Sequence, residues 1–192
     1  MAKMGKHGVS QNTPKNIVFG ACTVHIGLKY ESGKWNGDET IVGATNGGSK
    51  LVITPEITKL EVDGALVAAK GLTRKTGEVA NLEIQFAEVK GDILKRTTLG
   101  EVKTSEVTGY ELLESKPNIE AGDYVDNIAL VGKTEDGEDI IAILDNALCT
   151  SGLELDTKHK EQAVIPATFE CHGDPEGDLD TLPWHIYYPT RA

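Results

Sequence analysis

The segment VANLEIQFAEV, residues 79–89, has the clearest strand pattern in the sequence. Leu82, Ile84 and Phe86 alternate with polar residues along it. Successive side chains of a β-strand point to opposite faces, so the three apolar side chains share one face. The segment therefore predicts a half-buried strand with one face against a core.

A short helix over residues 89–98 is predicted to follow this strand and to pack on a sheet. Apolar and small residues recur there at helical spacing, namely Val89, Ile93, Leu94 and Thr97. Asp92 is a candidate N-cap, and Gly100 is placed where a glycine commonly ends a helix.

The rest of the chain favours further strands rather than helices. They are expected at residues 17–28, 39–44, 51–62, 107–113, 127–131, 139–148, 163–171 and 184–188. Pro55 and a slip of the apolar parity between Ile57 and Leu60 predict a bulge or an edge position. Because no strand–helix–strand rhythm is present, the predicted fold is mainly β, with two packed antiparallel sheets in a sandwich or barrel and one short flanking α-helix.

The length of 192 residues suits one domain. Residues 1–15 are polar and without apolar period, so they predict a flexible N-terminal arm. Residues 16–192 are expected to form a single β-sandwich domain. It should have long loops at about residues 29–38 and 63–77, where glycine and polar residues interrupt the strand pattern.

The composition argues against several classes of function. The net charge is −11, from 30 acidic and 19 basic residues, whereas nucleic-acid binders depend on Lys and Arg. No stretch has the roughly 18 consecutive apolar residues of a membrane span, and the first residues lack the apolar segment of a secretory signal. We therefore expect a protein made in the cytoplasm that binds neither membrane nor nucleic acid specifically.

No motif predicts catalysis, a cofactor or a metal. Neither GKWNG nor TNGGSK fits the spacing of a phosphate-binding loop. The histidines are scattered, at positions 7, 25, 159, 172 and 185, whereas a metal site needs three or four converging ligands. Cys22, Cys149 and Cys171 are odd in number and have no CxxC spacing, so reduced thiols are expected.

Four stretches of the chain, taken in order, resemble one known family. They are GACTVHIG (20–27), the run from ETIVGATNGGSK to VAAKG (39–71), LEIQFAEVKGDILKRTTLG (82–100) and the run from DNIALVGK to FECHGDP (126–175). The most specific parts are the GAT.GG turn leading into EVDGA....KG, and the late IP.TFE.H.DP strand. In these the sequence resembles the tail tube (major tail) proteins of long-tailed, siphovirus-type bacteriophages.

The resemblance implies a non-enzymatic virion protein made in the host bacterial cytoplasm and located in the tail. Copies would form hexameric rings that stack into a tube around a tape-measure protein, with tail terminator and distal tail proteins as further partners. DNA would pass through the lumen without specific binding. The segment GLKYESGKWNGDET (27–40) departs from the family pattern by lengthening the loop after the first strand.

The contact between stacked rings is predicted in the loop at 63–77, with residues 29–38 as the second candidate. This loop joins two long strands, so it should project from the end of the domain. The predicted contact residues are Leu66, Val67, Lys70, Leu72, Arg74 and Lys75. The alternative is an ordinary hairpin loop that folds back on its own sheet.

Two other functions fit the sequence. The first is the tube protein of a contractile tail, a tail-like bacteriocin or a type VI secretion machine, with the same fold and assembly. The second is a monomeric carbohydrate-binding or adhesion β-sandwich. Modules of that kind display surface aromatic residues, and the sequence offers only Trp35 and Trp184 as tryptophans.

Overall fold

The computed structural model describes residues 8–190 apart from Gln11, Phe19 and Lys158. Residues 1–7, half of the predicted N-terminal arm, therefore lie outside the described residues, as do Arg191 and Ala192. Within the described part of the chain, no helix has the length and apolar character needed to cross a membrane.

Strands dominate the structure. They are β1 (Thr23–Ile26), β2 (Tyr30–Glu31), β3 (Lys34–Trp35), β4 (Thr45–Lys59), β5 (Thr73–Phe86), β6 (Glu101–Lys103), β7 (Leu112–Glu114), β8 (Val125–Lys133), β9 (Asp139–Cys149), β10 (Ile165–Cys171) and β11 (Trp184–Tyr187). The helices are α1 (Gly37–Thr40) and α2 (Gly91–Thr98), and 3-10 turns lie at Pro14–Asn16 and Ala121–Asp123.

Seven strands form one antiparallel sheet in the order β1-β8-β9-β10-β5-β4, and β11 also pairs with β9. The other strands make two small ladders, β2-β3 and β6-β7. The prediction of a mainly β, antiparallel fold is confirmed. Instead of two separate sheets, the described strands make one large sheet that is open, with β1 and β4 at its edges.

The sheet forks at β9. One edge of this strand pairs with β11 through Ile141–Leu144 and with β10 through Ala147–Cys149. At the fork, Asn146 has a left-handed backbone with φ of 48°. This conformation reverses the alternation of side chains, so that Leu144 and Ala147, three positions apart, both face the main core.

The main core joins five strands of the sheet to α2. Its buried residues are Val24, Ala80, Leu82, Ile84, Phe86, Ile93, Val125, Ile128, Leu144, Ala147, Cys149, Ile165, Ala167, Phe169 and Cys171. The predicted inward face of β5 is thereby confirmed, since Leu82, Ile84 and Phe86 are each 1% exposed. Strand β10 follows the same rule, with Ile165 and Phe169 buried.

The predicted helix and the late hairpin are also confirmed. Helix α2 has Lys90 rather than Asp92 at its N-cap, and Leu99 takes the left-handed C-cap conformation expected of Gly100. A side chain at Gly100 would still be excluded, because its Cβ would lie 2.8 Å from the Glu114 carbonyl oxygen. Strands β8 and β9 pair as the predicted hairpin.

Near Pro55 the chain has both of the features that the sequence offered as alternatives. Strand β4 lies at the sheet edge, and its register with β5 shifts between Glu56 and Ile57. A second shift between Thr45 and Ser49 absorbs Gly47 and Gly48, so the expected turn lies inside the strand.

The predicted strand at residues 39–44 is wrong. The chain instead forms α1, followed by a single bridge between Ile41 and His25. The Thr40 hydroxyl explains this difference, because it donates to the Asn36 and Gly37 carbonyls and also bonds His25 Nδ1 at 3.0 Å. These contacts close a helical turn.

Two other strand predictions are too long. The first strand is confined to Thr23–Ile26, with one isolated bridge between Val18 and Thr134. The strand at 107–113 is replaced by a turn in which Tyr110 N–H donates to the Val107 carbonyl, and only its end joins β7. Gly109, with φ of 82°, permits that turn.

Candidate functional site

The β4–β5 hairpin leaves the body of the protein as a two-stranded ribbon. The strands pair from Thr45–Phe86 to Lys59–Thr73. Close to the core, side chains such as Ala80 are buried, whereas residues 54–59 and 73–76 are exposed on both faces. The far part of the hairpin thus has no core of its own.

The turn that closes this hairpin, residues 60–72, displays apolar side chains to solvent. Leu66 is 100% exposed and Val67 is 79% exposed. The backbone is nevertheless ordered by hydrogen bonds, since Leu60 N–H donates to Leu72 O at 2.8 Å and Leu72 N–H donates to Ala69 O at 3.2 Å. Ile57, Leu60 and Val62 extend the exposed apolar surface along the ribbon.

The six residues predicted for the contact between rings occupy two kinds of position. Leu66, Val67 and Lys70 lie in the turn, and Leu72 beside them is half-buried. Arg74 and Lys75 lie on β5, which begins at Thr73, so the loop is shorter than residues 63–77. We call residues 57–75 the hairpin tip.

The positive charge of the hairpin tip is divided between the faces of the ribbon. Arg74 and Lys75 are neighbours on a strand, so their side chains point to opposite faces. Lys75 is also paired with Glu78, at 2.8 Å between Nζ and Oε1. This carboxylate has a lowered pKa because it accepts hydrogen bonds from Lys75 and Trp184. Arg74 is therefore the better candidate for a contact with another molecule.

Strand β4 presents its outer edge along the same hairpin. Between the two register shifts, from Ser49 to Glu56, the strand is regular, and Leu51 and Ile53 pack toward the core. Such an edge exposes unpaired backbone donors and acceptors to any strand that approaches it. Pro55 removes one donor from this edge.

The second candidate loop, residues 29–38, is a folded unit rather than a bare loop. It contains the β2–β3 hairpin and the start of α1. Trp35 from this hairpin and Leu28 before it cover the other face of β8 and β9, against a small cluster of Ala129, Ile141 and Ile143.

Three aromatic side chains meet on that face. Trp35 lies between Tyr30 and Tyr187, with centroid distances of 5.2 Å to each ring and interplanar angles of 62° and 69°. No local pattern predicts this group, because Tyr187 is far from Trp35 along the chain and comes near it only through the pairing of β11 with β9.

A polar pair stands next to these aromatic rings. His185 Nε2 and Asp145 Oδ2 are 3.1 Å apart. Burial raises the pKa of Asp145, and the nearby His185 opposes part of that rise. The rings and the polar pair line one groove of about 440 Å³, which we call the aromatic groove: Leu28, Lys29, Tyr30, Glu31, Trp35, Asn127, Ile143, Asp145, His185 and Tyr187.

The remaining candidates for chemistry are dispersed. Among the described residues, no three His, Cys, Asp or Glu side chains converge as metal ligands. The three cysteines are free thiols, and burial raises the pKa of Cys171 to about 12. His25 is buried between the hydroxyls of Thr23 and Thr40.

No protein-family model matches the chain, and no curated protein matches it.

Proposed function

We propose that this protein is a structural subunit that assembles with copies of itself into stacked hexameric rings, as the tail tube of a long-tailed bacteriophage. The proposal combines the resemblance in the sequence with the shape and surface of the β4–β5 hairpin. It assigns the protein no catalytic role.

The observation that carries the proposal is the exposed hairpin tip. A two-stranded ribbon without a core is marginally stable in water. The far part of this one is exposed on both faces and ends in Leu66 and Val67, which face solvent. Exposed apolar groups on an ordered backbone favour a protein partner. A second copy of the chain in the next ring would bury them.

The edges of the sheet support ring formation. An open edge such as β4 must be paired or protected, and pairing with a neighbouring copy would satisfy its backbone groups. Repetition of one such head-to-tail contact closes a ring when the rotation between copies permits it. The outer side of the four-residue strand β1, at the other end of the sheet, is partly occupied, since Ile41 bridges His25 and Val42 N–H donates to the Val24 carbonyl, so β4 is the edge with the longer free stretch.

We also propose that the sheet acts as a two-layer β-sandwich. One layer would contain β1, β8, β9 and β11, and the other would contain β10, β5 and β4. The fork at Asn146 and the single core shared by strands of both groups support this division. The tape-measure, tail terminator and distal tail proteins would be the partners, and DNA would pass through an acidic lumen without binding.

Sedimentation velocity and negative-stain electron microscopy test the assembly. The purified chain, examined over a wide range of concentration and with the tape-measure protein, should form rings or tubes. A species that stays at the 20.6 kDa of one chain under every condition would contradict the proposal. The tubes of contractile tails, tail-like bacteriocins and type VI secretion machines would give the same rings, and the presence of a sheath protein distinguishes them.

A further inference from the structure

We infer that the aromatic groove is a carbohydrate-binding site that takes a neutral oligosaccharide. This inference does not depend on the proposed assembly, because it rests on the side chains that line one groove of a single chain. It also does not use the hairpin tip, which lies on other strands.

The aromatic side chains supply an apolar wall of the right kind. Tyr30 is 61% exposed and Tyr187 is 49% exposed, while Trp35 between them is half-buried. The edge-on contacts hold the three rings in a fixed arrangement at the groove. A pyranose ring has an apolar face of C–H groups, and large rigid aromatic rings offer contact area for it at little entropic cost.

The polar side chains of the groove both donate and accept hydrogen bonds. Glu31 and Asp145 accept and Lys29 donates, while His185 Nε2 donates to Asp145 and leaves Nδ1 for a ligand. Among the described residues, Asp145 Oδ2 is bonded by His185, and no partner is found for its Oδ1. Asp145 is thereby held in place with an acceptor available to a ligand.

This mixture favours hydroxyl groups over an anionic ligand. Each sugar hydroxyl donates one hydrogen bond and accepts others, which matches a wall that has both kinds of group side by side. An anionic ligand would meet the carboxylates of Glu31 and Asp145. These outnumber Lys29, so a cationic ligand is the competing occupant that a tetramethylammonium probe tests. The groove is shallow and open, with polar groups beside the aromatic rings, so it would hold an oligosaccharide along the surface rather than enclose it.

The site can be tested by NMR titration of the full chain with neutral disaccharides. The probes are maltose, cellobiose, lactose and chitobiose. The chain has two tryptophans, so a Trp184→Phe variant assigns the Trp35 indole N–H signal. At least one disaccharide should shift the Trp35 signal in a saturable manner. Tetramethylammonium and galacturonate are titrated separately as charged probes and should leave the Trp35 signal unchanged.

Two variants and a matched control refine the test. Tyr30→Ala and Asp145→Asn should each weaken the binding about tenfold or more. Tyr110→Ala removes an exposed tyrosine outside the groove and should leave the affinity unchanged. Backbone spectra of the variants report whether the fold is intact.

The inference is overturned if none of the four disaccharides shifts the Trp35 signal, or if the charged probes shift it and the sugars do not. It is also overturned if folded Tyr30→Ala binds as the unaltered chain does. Failure of ring assembly leaves this result untouched, since the titration is read on the single chain. Rings without sugar binding would refute the groove alone.

Discussion

The side-chain amide of Asn127 forms two hydrogen bonds with the backbone of Leu28. Leu28 N–H donates to Asn127 Oδ1 at 2.9 Å, and Asn127 Nδ2 donates to the Leu28 carbonyl at 3.1 Å. The amide thus acts as one more rung of the ladder at the point where the chain leaves β1. It fixes the start of the segment that carries the aromatic groove.

We expect Asn127→Ala to destabilise the protein by about 2 kcal/mol, because it leaves two buried backbone groups of Leu28 without partners. Urea denaturation at neutral pH measures the change. Asn118→Ala, at an exposed position, is the control and should stay within about 0.5 kcal/mol. Equal stability of the two variants would show that the Asn127 bonds have no net effect.

A second prediction concerns the ion pair of Lys116 and Asp123. The two groups are 2.6 Å apart, and their side chains are 9% and 3% exposed. Lys116→Met leaves the Asp123 carboxylate without its cation in a buried position, which is unfavourable. Lys133→Met breaks an exposed pair with Asp139 and should have little effect. Comparable losses of stability in the two variants would contradict this prediction.

The same pair gives a dependence on acid pH. Burial acts to raise the pKa of Asp123, but the hydrogen bonds from Glu120 N–H and Lys116 outweigh it and the pKa is lowered. Its contribution to stability is therefore present above the ordinary pKa of 3.8 and is lost as the pH falls through the folded value. Asp123→Asn should reduce the acid sensitivity of unfolding in that range.

His25 predicts a separate effect at milder pH. Burial lowers its pKa below the ordinary 6.5, opposed in part by a hydrogen bond with Gly37. As the pH falls below about 6.5, the unfolded chain binds a proton that the folded chain excludes, so stability decreases until the folded pKa is reached. Melting temperatures between about pH 8 and about pH 5 should show this loss. His25→Gln should flatten that part of the profile, and an unchanged slope would assign it to other groups.

The sequence predicted those elements whose signal is local. Leu82, Ile84 and Phe86 alternate because β5 has one face in the core, and the same pattern marked β10. The predicted strand limits were wrong where contacts between residues distant in sequence determine the local structure. Thr40 is an example, because its hydroxyl bonds His25 and closes a helical turn. Nothing in the local pattern indicates that contact.

The candidate sites show the same division. Leu66 and Val67 stood out in the sequence because they are too apolar for a free loop, and both are exposed. The aromatic groove was not predicted, because the search for surface aromatic residues considered the tryptophans and not the tyrosines. In addition, Tyr187 reaches Trp35 only through the pairing of β11 with β9, which the local sequence does not indicate. The Asn127 amide and Leu28 are 99 residues apart in sequence, so their pairing was equally hidden.

The last prediction tests the hairpin tip. Leu66→Asp combined with Val67→Asp places two charges where the proposed contact buries apolar groups, so rings should fail to stack into tubes. Both side chains face solvent in the single chain, so the free energy of unfolding should change by less than about 0.5 kcal/mol. Electron microscopy reports assembly, and urea denaturation reports the fold.

Charge can be separated from apolar contact by a second set of variants. Arg74→Glu should shorten the tubes at physiological salt. Adding Lys75→Glu should shorten them by a similar amount, because Lys75 is already paired with Glu78 of its own chain. Charges at the rim of an interface chiefly tune rate and register, so these effects should weaken as salt screens them. Lys133→Glu, away from the hairpin, is the matched control.

Two outcomes would contradict this assignment. Tubes of normal length from the double charge variant would show that charge has no part in the contact between rings. Tubes of normal length after deletion of residues 66–70 would refute the hairpin tip as that contact.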